Sequence, residues 1–475
     1  MRSEVLTLEA HSDWSLARTV ARYRKVRGFL APFLVVALGG LLVPAFVAEP
    51  EQVVMATVVV FPLVFAVRNR LSKGPLYGDL LADIFLWGFL LRVFVGLVIY
   101  HFKLWEYYGG DSRTYDRYGW ELAEVWHGRI FRYEELDTVL RGPNPGIYYF
   151  TAAVYYVFGH YLLLLQFVLS AIGAAAAILV VKIADTLFGD REISVLSGVL
   201  VAFFPSMVMW TSQLMKEGLL LFLFSLVFYS MQQAVIRFRL RYAVYIVAAL
   251  LAIHYIRFYM FYSMLAAIAM GLIAPTRPIS PVKLVRHLAV TGIVLASLAY
   301  LLGGREILTT FQKDTKLETI QEARMDQAIP ARSGFEKLAD VSTPEGALRH
   351  LPFGFLYVMF GPFPWEVSNL RQLMALPEGL FWWVMVPALL RGLWLALRHR
   401  LPESWLILSF IAGVALPYSF SQGNVGTAYR QRVQVQIFLF IFVALGYVWK
   451  KRQRLARALT RQVVRTRALG AKGRI

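Results

Sequence analysis

Long apolar stretches separated by short polar ones run through most of the chain. Several exceed the roughly 18 residues needed to cross a bilayer. They fall near 29–48, 52–67, 79–101, 161–184, 193–209, 216–235, 242–255, 258–274, 286–302, 379–397, 403–419 and 433–449. In lipid each helix satisfies its own backbone hydrogen bonds, so the pattern predicts an all-α polytopic membrane protein of about twelve transmembrane helices. The segment "GIYYFTAAVYYVFG", 146–159, is apolar but short for a span. Reading it as a full crossing reverses the sidedness of everything after it, so it is expected to be re-entrant or interfacial. Polar residues gather between spans, and the helix centres are nearly free of charge.

Composition agrees: of 475 residues 58% are hydrophobic and 17% charged, with a mean hydropathy of +0.55. Cysteine is absent, which excludes disulfides, thiolate nucleophiles and cysteine–zinc sites. His101, His127 and His160 show no helical ligand spacing, which argues against zinc. The opening residues, polar and charged through Arg27, carry no signal-peptide pattern.

The net charge is +19. Its Lys and Arg cluster at Arg18 to Arg27, Arg68 to Lys73, Lys182 with Arg191, "RFRLR" at 237–241, Arg277 to Arg286, Arg398 with Arg400, and the tail from Lys450. With the spans above, all these clusters fall on one side. By the positive-inside rule that side is the cytoplasm. The tail "KKRQRLARALTRQVVRTR" reads as a helix lying on anionic headgroups; no nucleic acid is expected as partner.

This divides the chain into a cytoplasmic N-terminus with an extra helix pair (1–78), a transmembrane core (79–302) holding a first external loop (102–160), a large external loop (303–378), C-terminal spans (379–449) and a basic cytoplasmic tail (450–475). The expected location is the plasma (inner) membrane, with both termini cytoplasmic.

The first external loop opens with "YYGGDSRTYDRYGW", 107–120. Gly109 and Gly110 break the preceding helix, and a helical pattern then runs from Ser112 to about Trp126, its aromatics suited to a membrane surface. Asp111 and Tyr115 share one face. Asp116 lies roughly 140° away around the axis. Asp111 after Gly-Gly is also an ordinary N-cap, a role compatible with facing a cleft.

An acidic residue at the external end of a helix, followed four later by Tyr, resembles the GT-C superfamily of membrane glycosyltransferases, which includes the protein O-mannosyltransferases and the lipid A aminoarabinose transferases. Further stretches agree in order: "NPGIYYFTAAVYYVFG", then "FPSMVMWTSQLMKEGLLLFLF" at 204–224, then "GTAYRQRVQVQIFLFIFVALG" at 426–446. The resemblance covers roughly 79–449. It departs in the two extra N-terminal helices and in lacking an external C-terminal domain.

The resemblance implies a GT-C-like fold and transfer of a sugar from a polyprenyl-phosphate-linked donor, on the extracytoplasmic face. The acceptor is a glycan, lipid or protein. Such chemistry needs a base for the acceptor hydroxyl, here Asp111, and cations for the departing phosphate. Arg257 in "HYIRFYM" and Arg430 and Arg432 in "AYRQRVQVQ" suit phosphate geometry; each is also readable as an arginine snorkelling to headgroups. Lys216 and Glu217 stand at the external end of a helix, either near the donor phosphate or as an interfacial ion cluster. Arg113 and Tyr115 complete the candidate substrate-binding set. A divalent cation, magnesium or manganese, on Asp111 and Glu217 is compatible with the sequence but not required by it.

The large loop is polar at "TFQKDTKLETIQEARMDQ", which reads as a short solvated helix. It turns apolar at "HLPFGFLYVMFGPFPWE", where Pro362, Pro364 and Trp365 suit a lipid-facing lip, either closing over the acceptor or serving as a structural plug. Two other functions stay open: a transporter or flippase for lipid-linked saccharides, and an O-antigen polymerase or ligase-like enzyme.

Overall fold

The computed structural model describes residues 12–75, 77–106, 111–142, 144–237, 239–272, 281–302, 316–328, 340–367 and 369–472. Gly109, Gly110, the start of the large loop and its 329–339 stretch lie outside them. Every element among the described residues is helical. In chain order these are α1 (Ser12–Ala48), α2 (Pro50–Ser72), α3 (Gly78–His101), α4 (Asp111–Trp126), α5 (Glu134–Arg141), α6 (Gly146–Phe158), α7 (Leu162–Phe188), α8 (Arg191–Phe203) and α9 (Pro205–Thr211). There follow α10 (Lys216–Arg237), α11 (Leu240–Ile256), α12 (Phe258–Leu272), α13 (Pro281–Leu302), α14 (Leu317–Ala328), α15 (Pro344–Phe360), α16 (Leu370–His399), α17 (Leu401–Ser421) and α18 (Val425–Lys472).

Among the described residues, eight helices are long and apolar enough to cross a membrane, and a ninth crossing results if α8 and α9, bent by 54° at one break, form one span. This is the build of a multi-pass membrane protein. Of the remaining expected crossings, α11 and α12 are helices of 17 and 15 residues, shorter than the others.

Side-chain contacts define two ends of the bundle. At one, Arg27 pairs with Asp83, the Tyr77 hydroxyl donates to Asp185 at 2.8 Å, and Arg452 pairs with Asp190. The other end carries the Tyr100–Glu49 contact and the Gln52 amide donating to the His160 carbonyl at 3.2 Å. Helix α6 starts with Gly146 against the backbone of Tyr255 and Ile256 and ends just before His160, so both its termini stand at this second end.

Three sequence expectations change. The helix centres, expected to be nearly free of charge, hold one charge with a large structural consequence: Arg92 lies buried midway along α3. Helix α16 begins at Leu370 rather than 379: Asn369 caps it, accepting from the Gln372 N–H at 3.0 Å, which draws Glu378 out of the external loop into a span. The basic tail continues the last span as one 48-residue helix instead of turning flat onto the headgroups. No glycine or proline stands between Tyr447 and Leu469 to interrupt it, and at about 1.5 Å per residue it far exceeds the bilayer core. Its first turn past the span is held by Lys451 on Glu192 and Arg452 on Asp190.

Helix α14 is also less solvated than its composition suggests. Arg324 is fully buried, donating through Nε to the Gln422 carbonyl at 3.3 Å and lying 3.0 Å through Nη2 from His350. At the expected lip, Trp365 is 73% exposed and stacks on Phe363 at 5.1 Å.

Candidate functional site

At the second end of the bundle, four elements bring one charge cluster together. Helix α4 opens with Asp111, α10 opens with Lys216 and Glu217, the α11–α12 turn supplies Arg257, and the second turn of α18 supplies Arg430. Glu217 is the hub. Its Oε1 accepts from Arg257 Nη2 at 3.1 Å and stands 3.5 Å from Arg430 Nε. Arg430 Nη1 reaches on to Asp111 Oδ2 at 2.6 Å.

Burial is graded along this chain: the side chains of Glu217 and Arg257 are 1% and 6% exposed, that of Arg430 17%, and that of Asp111 44%. Neither arginine snorkels to headgroups. They are ion-paired inside the protein, and only the Asp111 end opens outward. A buried carboxylate between two guanidiniums is stable only while each charge keeps its partner, so the cluster holds α4, α10, α11 and α18 in one register.

Tyr115 lies one turn beyond Asp111 and is buried. The Lys216 ammonium stands 5.3 Å over its ring and makes no hydrogen bond or ion pair of its own among the described residues. Burial and the Asp111 carboxylate push the Tyr115 phenol well above its ordinary value, so it remains a neutral hydroxyl. Tyr148 of α6 packs edge-on against Tyr115 at 5.5 Å and joins this wall.

The "NPG" at 144–146 holds the first loop on the Arg257 turn. Asn144 Oδ1 accepts from the Phe258 N–H at 3.1 Å, capping the start of α12. A Cβ at Gly146 would stand 2.8 Å from the Tyr255 carbonyl carbon and 2.9 Å from the Ile256 nitrogen. Backbone cannot yield there as a side chain would. Gly146→Val is therefore expected to cost about 1–3 kcal/mol, read as a lowered melting temperature, with Arg257 displaced.

Six of the expected site residues thus meet: Asp111, Tyr115, Lys216, Glu217, Arg257 and Arg430. Two do not. Arg113 is exposed, its guanidinium over the Trp105 ring at 5.8 Å. Arg432 is fully buried in a separate group, donating to the Gly361 carbonyl at 2.9 Å and lying 3.8 Å from Glu378, which also accepts from the Tyr429 hydroxyl at 2.6 Å. Asp116 points elsewhere, as its angular offset requires: it takes the Tyr155 hydroxyl and lies 3.0 Å from His160 Nε2.

Three cations against two carboxylates leave the cluster one net positive charge. A divalent cation fits this donor set poorly. Asp111 and Glu217 are bridged by Arg430 itself, and no group of three or more metal-ligating side chains occurs among the described residues. An anion fits better: among the described residues the buried Nη1 of Arg257 lacks a partner and Lys216 is unpaired. The class defined so far is a multi-pass membrane protein, all-helical among the described residues, with a charge cluster at one end of the bundle. No protein-family model, curated protein or solved structure matches the chain.

Proposed function

We propose that this chain is a GT-C-like membrane glycosyltransferase of about twelve spans. In this reading it moves a sugar from a polyprenyl-phosphate-linked donor to an acceptor on the extracytoplasmic face, with the basic end of the bundle in the cytoplasm. The observation that carries it is the graded chain Arg257–Glu217–Arg430–Asp111, cationic and buried at one end and a half-exposed carboxylate at the other.

Each step has its group. The acceptor hydroxyl gives its proton to Asp111 as its oxygen bonds to the anomeric carbon. The bond from that carbon to the phosphate oxygen breaks, and the electron pair leaves with the polyprenyl phosphate. Lys216, Arg257 and Arg430 meet the charge gained there, which is where preorganised cations lower a barrier most. Arg430 also holds Asp111 in place, through the 2.6 Å contact.

The flippase reading draws on the broken α8–α9 helix, since transporters place charge on broken helices at mid-membrane. The charge at this break, Arg92, is taken up by protein hydrogen bonds. That favours the enzyme.

The test is purified protein in liposomes with labelled polyprenyl-phosphate sugars and candidate acceptors. Label on an acceptor with release of polyprenyl phosphate is the expected result. Intact donor recovered on the opposite leaflet, with none cleaved, rules for transport. Within an active preparation, Lys216→Met is expected to raise KM for the donor about 10–100-fold, the worth of one charge-assisted hydrogen bond. Equal KM in wild type and variant would take Lys216 off the phosphate.

A further inference from the structure

Arg92 is 1% exposed in the middle of α3, where a charge is most costly. No carboxylate stands within ion-pair distance of it among the described residues. Instead Nη2 donates to the Val201 carbonyl at 3.1 Å, Nη1 to those of Ala202 at 2.8 Å and Gly88 at 2.9 Å, and Nε to Thr211 Oγ1 at 2.7 Å.

The acceptors explain the residue. Val201 lies four positions before Pro205, and proline has no N–H to give the carbonyl one turn back. The break that Pro205 makes between α8 and α9 leaves that carbonyl without its helical donor inside the bilayer, where an orphan polar group is expensive. Arg92 supplies the missing donor. Its Nε at the same time holds Thr211, the last residue of α9. One planar guanidinium therefore grips both arms of the bend and fixes the 54° between them.

Two glycines admit this arrangement. A Cβ at Gly96 would lie 2.6 Å from the Ser212 carbonyl oxygen, and one at Gly173 would lie 2.6 Å from Thr211 Oγ1 and 3.0 Å from Arg92 Nε. Only Ser212 to Met215 then separate Thr211 from Lys216 and Glu217.

We propose that Arg92 is a positioning residue. By setting the angle of the broken helix it places the start of α10, and so Lys216 and Glu217, in the anion cluster; its bearing on sugar transfer rests on the reading above. The chain has no cysteine, so a Tyr115→Cys/Lys216→Cys pair reports placement through a short bis-maleimide, in full-length protein in nanodiscs. Arg92→Lys keeps the charge but not the fork. It is expected to cut cross-linking about fivefold or more while shifting the melting temperature by a few degrees.

The deciding variant is Arg92→Met/Pro205→Ala, which restores the backbone donor to Val201 and straightens the helix. If Arg92 positions, this variant regains melting temperature but not cross-linking. Recovery of both, or wild-type cross-linking in Arg92→Lys, overturns the proposal and leaves Arg92 a stabilising residue only. Cross-linking does not depend on turnover. A cysteine pair that cross-links as expected, beside cysteine-free wild-type protein that cleaves no polyprenyl-phosphate sugar, sinks the glycosyltransferase reading and leaves the positioning role standing.

Discussion

Asp111→Asn is expected to lower kcat for sugar transfer by about 10²–10⁴-fold, the usual worth of a placed general base. The amide keeps the shape and still accepts from Arg430, but it does not take a proton. Donor KM is expected to stay within a few-fold, because Lys216, Arg257 and Arg430 keep their places. Stability is expected to hold as well. The Asp111–Arg430 pair is 44% exposed on the carboxylate side, and an exposed pair contributes no more than about 1 kcal/mol. Asp116→Asn is the matched control, since Asp116 sits with Tyr155 and His160 away from the cluster. Transfer that persists within about tenfold in Asp111→Asn, or falls equally in both variants, removes Asp111 from the role of base.

The spans were largely legible because apolar runs of that length have no other stable course in lipid. So was the separation of Asp111 from Asp116, which follows from 3.6 residues per turn. What sequence could not give was partnership. Arg257 and Arg430 lie far apart along the chain, and nothing local says that both meet Glu217. Arg432, two positions from Arg430, differs from it by roughly 200° around the helix axis, and it joins Glu378 instead.

Two signals were present but easily passed over. Asn369 with Gln372 three residues later is a capping-box pattern, and it marks the true start of α16 and the burial of Glu378. Pro205 inside an apolar run announces a carbonyl in need of a donor. Arg92, alone in the middle of α3, is the group that answers it. A charge that hydropathy treats as tolerable noise in a span becomes informative once the orphaned backbone group is counted.

The largest stability effect is expected at Glu217. Its Oε1 serves Arg257 at 3.1 Å and stands 3.5 Å from Arg430, with the carboxylate side chain only 1% exposed. Glu217→Ala leaves Arg257 buried without a counter-charge and strips Arg430 of one of two. Breaking a buried pair from one side costs about 3–5 kcal/mol, enough to lower the melting temperature of the purified protein by many degrees. Removing both sides is different. In Glu217→Ala/Arg257→Leu no buried charge is stranded, and Arg430 retains Asp111. The double variant is expected to melt above the Glu217→Ala single, although it binds the donor phosphate more weakly than wild type. A double variant that melts at or below that single would mean that the two residues do not act as a pair. The Arg257–Glu217–Arg430 hub would then lose its role in holding the first loop, α10 and the last span together.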